Sequence, residues 1–166
     1  MAASITVEDG SGLTTSNSYA TEAEADTYHE EITYGSDWDD CSDKPAALIQ
    51  ATRLLDEHVD WSGTKNTKEQ ALRWPRSYVY DRDGYQVAND TIPQWLKNAT
   101  SELARNLSAA DRLSDPSTKG FKRLKMDTME LEVSVNDRPS AIPNSVWSII
   151  RPYGKMYGRS KTLVRM

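Results

Sequence analysis

IPQWLKNATSELARNLSAA, residues 92–110, decides the fold. Ile92, Leu96, Ala99, Leu103, Leu107 and Ala110 recur at steps of four and three, which gathers them on one helix face. Pro93 suits the first helical position because it has no amide hydrogen to leave unbonded. Asp115-Pro116-Ser117 breaks the chain beyond it. A seam of fewer than about three heptads, beside other amphipathic stretches, predicts the core of a bundle rather than a two-chain coiled coil.

Upstream, Asp43 caps a second helix, Pro45 sits in its first turn, and Leu48, Ala51, Leu55 and Val59 form its apolar stripe up to Trp61-Ser62-Gly63. Thr21 and Glu24 have the spacing of a capping box, so a helix is predicted over about residues 22–31, with Tyr19 and Tyr28 packed on the body. Thr67 and Gln70 repeat that spacing and predict a short helix, ended by Pro75, with Trp74 anchored at its end. The acidic run from Ser36 to Ser42 reads as a solvated loop. Its aspartates lack the glycine turn and terminal glutamate of a calcium loop. Asp81-Arg82-Asp83-Gly84 marks a turn between Tyr78–Tyr80 and Tyr85–Val87; the twelfth position counted from Asp81 is Ile92, which cannot ligate calcium.

Downstream the period changes to two. Leu124, Met126, Met129, Leu131 and Val133 predict a β-hairpin over about residues 121–135. A turn at Asp127-Thr128 sets Lys125 opposite Glu130, Leu124 opposite Leu131 and Arg123 opposite Glu132. An isolated ribbon is marginal in water, so Lys122, Leu124, Met126, Met129, Leu131 and Val133 are candidate interface residues. Pro143 opens a last helix carrying Val146, Ile149 and Ile150, which Pro152 stops. The expected fold is mainly α: a small helical bundle with a β-hairpin and an extended C-terminal tail. Its parts are a flexible arm at 1–18, a helical domain at 19–153 and a tail at 154–166. Leu48, Leu55, Trp61, Trp74, Leu96, Leu103 and Leu107 form the expected core.

With 166 residues, one domain is expected. The chain is 37% apolar and its mean hydropathy is −0.71, so the core is modest and much polar surface remains. Five Trp and eight Tyr against one Phe favour aromatics that bury a face and keep a polar handle, a composition suited to interfaces. Cys41 is alone, so no disulfide forms within the chain and no cysteine zinc site is expected. The opening MAASITVEDGSG has neither a basic start nor an apolar run, and no stretch is long enough to span a bilayer, so synthesis in a cytoplasm and no membrane partner are expected. The glycosylation-like Asn98-Ala99-Thr100 falls inside a helix and reads as chance. His29 and His58 are far apart and read as surface residues. No nucleophile–base pair, phosphate-cradling loop or ligand spacing is present, so no enzyme, cofactor or metal is expected.

The net charge of −5 argues against a protein that grips phosphates. It is unevenly distributed, with an acidic segment at 22–43 and a basic one at 151–165. The segments NSYATEAEADTY (17–28), AALIQATRLLDEHVDWSGTK (46–65), QALRWPRSYVYDRDGY (70–85) and IPQWLKNATSELA (92–104), with the charged ribbon and Leu163-Val164-Arg165, resemble a family of phage proteins. That family is labelled DnaT-like single-stranded-DNA-binding protein and looks like the head-to-tail connectors, or adaptors, of tailed bacteriophages. The resemblance implies a structural protein of the virion neck, made in the bacterial host cytoplasm. As a ring of about twelve copies, it would join the portal protein to tail, nozzle or other neck proteins around passing double-stranded DNA, without specific binding. On that reading Arg159, Lys161, Leu163, Val164 and Arg165 attach to the portal or to a neighbouring subunit. The alternative is a single-strand-binding module that stacks bases on Trp and Tyr, with Arg73, Arg76 and Arg82 nearby.

Overall fold

The structure, a computed structural model, describes residues 3–33, 35–109, 123–126, 129–132 and 140–157. The seam of residues 92–110 becomes the central helix, and five helices are present among the described residues: α1 (Glu22–Glu30), α2 (Ser36–Asp39), α3 (Lys44–His58), α4 (Gln94–Ala109) and α5 (Asn144–Ile150). Leu96, Ala99 and Leu103 are fully buried on α4, which packs against the other four helices. Burying a leucine of this kind contributes about 2 kcal/mol. Leu48, Leu55, Trp61 and Trp74 lie in the same core, Leu107 packs partly buried against it, and Ala110 lies outside the described residues.

Local chemistry sets the helix starts. The Thr21 amide donates to Glu24 Oε2 at 2.8 Å and the Glu24 amide to Thr21 Oγ1 at 3.1 Å, a complete capping box. Glu24 Oε1 also accepts from Lys97 Nζ at 2.6 Å, tying α1 to α4. Partial burial pushes the Glu24 carboxyl up, but Lys97 and the Thr21 amide outweigh it, and its pKa falls below the ordinary value. Asp43 accepts from the Ala46 amide at 3.0 Å and so starts α3.

Among the described residues, strands join these helices in three two-stranded sheets. β1 (Val59–Trp61) pairs antiparallel with β6 (Gly154–Met156), β2 (Thr64–Lys65) with β3 (Arg76–Ser77), and β4 (Arg123–Met126) with β5 (Met129–Glu132). In the last pair Arg123 faces Glu132, Leu124 faces Leu131 and Lys125 faces Glu130, the register that the charges predict. The fold is therefore a small mixed α/β arrangement, which corrects the mainly helical bundle: short ribbons and loops, not another long helix, complete the cover of α3 and α4.

Several local expectations also change. The arm at 1–18 is packed where the structure describes it, not free. The Glu8 carboxylate, 1% exposed, accepts from the amides of Gly10, Gly12 and Leu13 and from Ser16 Oγ. Gly10 has φ +103°, and a Cβ there would meet Asp90 O at 2.2 Å, so only glycine fits. The acidic run at 36–42 contains α2, because Trp38 buries completely and its Nε1 donates to Asp26 at 2.7 Å, beside the Lys44–Asp26 ion pair of 2.8 Å. Thr67 and Gln70 make both capping hydrogen bonds without a helix following. The Gln70 amide group instead donates to Leu72 O and Pro75 O, holding the segment as a folded loop with a cis Trp74–Pro75 peptide. His29 is buried, not superficial, with Nε2 3.1 Å from Ser101 O. The start of the expected tail, Gly154–Met156, is a strand against β1.

Candidate nucleic-acid interface

The chemistry that the sequence offers a nucleic acid is aromatic and cationic, and burial divides the aromatics sharply. Trp74 is fully buried and Trp61 nearly so. Their rings pack edge to face with centroids 5.9 Å apart, and Trp74 meets Trp95 in the same way at 5.2 Å. Neither Trp61 nor Trp74 is open to a base. The large apolar side chains that stand in solvent among the described residues are all tyrosines: Tyr78, Tyr80, Tyr85 and Tyr157, at 68%, 54%, 74% and 77% exposed.

Three of them belong to one hairpin. Val87 N donates to Val79 O at 2.8 Å, Tyr80 and Gln86 form an antiparallel bridge, and Asp81 N donates to Tyr85 O at 2.9 Å. Asp81 Oδ1 closes the tip by accepting from the amides of Asp83 and Tyr85 at 3.0 and 2.8 Å, and Gly84 takes φ +86°. Val79 faces inward, fully buried, while its tyrosine neighbours face out. These bonds define the backbone that carries the three rings.

The hairpin tip meets the end of α5. Arg82 and Arg151, both exposed, line one cavity of about 440 Å³ with Asp81 and Pro152. Beneath, Tyr153 stacks on Trp95 with centroids 3.9 Å apart and an interplanar angle of 3°. Burial, then the charge of Asp81, raises the Tyr153 phenol above its ordinary pKa, and Arg82 partly offsets this, so the tip and Tyr153 are electrostatic neighbours.

The three arginines singled out in the sequence separate by role. The Arg76 guanidinium donates to the carbonyls of Trp61, Ser62, Gly63 and Arg73 at 2.7 to 3.2 Å, so it is a structural clasp and not a phosphate ligand. Arg82 is exposed at the hairpin tip. Arg73 is exposed elsewhere, held through its amide, which donates to Asp56 Oδ2 at 2.9 Å and Tyr19 Oη at 3.1 Å. Tyr19 in turn donates to Asp56 Oδ1 at 2.6 Å. Burial, reinforced by Asp56, pushes the Tyr19 phenol well above its ordinary pKa. Burial likewise raises Asp56, against the opposing hydrogen bond from Tyr19.

Lys122, Val133, Arg159, Lys161, Leu163, Val164 and Arg165 lie outside the described residues. Leu124, Met126, Met129 and Leu131 are placed only by their strands, β4 and β5. The sequence reading missed which aromatics would stand out. The signal was present in Tyr78-Val79-Tyr80, where alternation turns the valine inward and both tyrosines out.

A family model described as "Putative DnaT-like ssDNA binding protein" matches residues 3–166. No curated protein and no solved structure matches. The match overturns the expectation of a phage head-to-tail adaptor, with its virion, neck and portal setting: the family found is a DnaT-like single-stranded-DNA-binding one, and no connector family is shown.

Proposed function

Since the chain belongs to the DnaT-like single-stranded-DNA-binding family, we propose that it binds single-stranded DNA by stacking unpaired bases on the hairpin tyrosines Tyr78, Tyr80 and Tyr85. Their exposure on one hydrogen-bonded turn carries the reading. Each base has an apolar face that stacks on a phenol ring, and such a contact contributes about 1–3 kcal/mol without regard to sequence. Duplex DNA hides those faces, so the same surface discriminates against it. Arg82 and Arg151 supply phosphate contacts beside the tip.

Few cations also imply weak salt sensitivity. If Arg82 and Arg151 each neutralise one phosphate, log K against log salt falls with a slope of about −1.4 for a single strand. Fluorescence anisotropy with labelled oligo(dT), repeated for Tyr80→Ala and Tyr85→Ala, tests the assignment. Each substitution is expected to weaken binding about tenfold. Unchanged affinity in both variants removes the hairpin from the interface.

A further inference from the structure

A second cavity, of about 430 Å³, lies away from the hairpin tip, between the end of α3, β1 and the loop that follows β2. Its walls include Glu57, Asp60, Arg73, Arg76 and Tyr157. The Tyr157 ring is 77% exposed at its edge, and the Tyr157 amide donates to His58 O at 2.8 Å, so the backbone that carries the ring is fixed. The Arg73 guanidinium makes no ion pair among the described residues, although its amide is clamped by Asp56 and Tyr19. Arg76 stands behind it with its own donors committed to carbonyls, and Lys65 is near enough that the Arg73 charge lowers its pKa after burial does. Arg73 and Arg76 thus line the cavity with Lys65 close by, and of the three only Arg73 is exposed, its guanidinium without a hydrogen-bond partner among the described residues. Glu57 and Asp60 are exposed carboxylates that also lack ion-pair partners among the described residues.

We propose that this cavity holds one nucleotide of the bound strand, its phosphate on Arg73, its base against Tyr157 and its polar edge toward Glu57 and Asp60. The inference rests on the single-strand-binding reading above and adds base selectivity to it. Carboxylates only accept hydrogen bonds, so they match a base edge bearing an exocyclic amine. Cytosine, adenine and guanine carry one. Thymine does not: its single N3–H donor lies between two carbonyl oxygens, which face like charge when a carboxylate approaches. The cavity therefore selects amine-bearing bases over thymine, as acidic side chains do when they accept from cytosine N4. A volume of this size accommodates a nucleotide together with water.

Anisotropy titrations with oligo(dC) and oligo(dT) of equal length decide the matter. Wild-type protein is expected to bind oligo(dC) about tenfold more tightly. Joint substitution of Glu57→Gln and Asp60→Asn replaces pure acceptors by amides that also donate to thymine, and is expected to abolish the preference. Tyr157→Ala is expected to weaken oligo(dC) about tenfold and oligo(dT) less. All the substituted residues are exposed, and a denaturation midpoint confirms that each variant folds. Equal binding of the two oligonucleotides, or a preference that survives the amide substitutions, overturns the cavity assignment alone. Absence of binding to either oligonucleotide overturns both this assignment and the reading beneath it.

Discussion

Arg76→Met tests how the aromatic core is held together. The guanidinium is 9% exposed and bonds the carbonyls of Trp61, Ser62 and Gly63 on one segment and Arg73 on another, so it joins β1 and the turn after it to the loop carrying Trp74. Methionine keeps much of the aliphatic stem and removes every donor. The Trp61 carbonyl lies in a buried bond and bears its full loss, whereas the other three are partly exposed and regain water. With about 1–3 kcal/mol for an unsatisfied buried acceptor and smaller losses for the rest, the expected cost is about 3 kcal/mol. That is a large share of the roughly 5–15 kcal/mol available to a domain of this size. Urea denaturation followed by tryptophan fluorescence reads it directly, as a lower midpoint at unchanged slope. A loss below about 0.5 kcal/mol refutes the clasp, since that is the range of ordinary surface substitutions.

Leu103→Ala removes a fully buried side chain from the central helix and is expected to cost about 2–5 kcal/mol by the same assay. Gly10→Ala forces a Cβ against Asp90 O in a left-handed backbone, and a lower thermal midpoint is expected. His29 gives a pH signature. Burial lowers its pKa below 6.5, with the bond to Ser101 O and the charges of Glu102 and Asp26 opposing and that of Arg105 assisting, while Nδ1 has no partner among the described residues. The unfolded chain then binds the proton more readily, so this stability is present above about pH 6.5 and is lost as pH falls through the lower folded value. His29→Gln is expected to flatten that part of the urea midpoint against pH; an unaltered profile contradicts it.

Periodicity and capping chemistry made the helices legible. The four-and-three spacing from Ile92, the Thr21–Glu24 pair and the Asp43–Pro45 start each act within one element, so nearby residues were enough. The errors arose where distant contacts decide. Thr67 and Gln70 form their capping bonds in a loop because Leu72 O and Pro75 O compete for the Gln70 amide group. Trp38 turns an acidic run into a helix because α1 and α4 offer it a buried place. Glu8 orders the N-terminal residues through a ring of amides that no periodic pattern encodes. At the candidate interface, the sequence showed tyrosines and arginines together, but only the folded chain separates Arg76, spent on carbonyls, from Arg73 and Arg82 in solvent.

The most direct measurement compares a single strand of about a dozen nucleotides with a duplex of the same length, titrated with wild-type protein at about 50 mM salt. Saturable binding to the strand, several-fold weaker binding to the duplex, and a shallow loss of affinity on adding salt are the predicted results. Failure to bind the strand at that salt, or equal affinity for the duplex, contradicts recognition through exposed base faces.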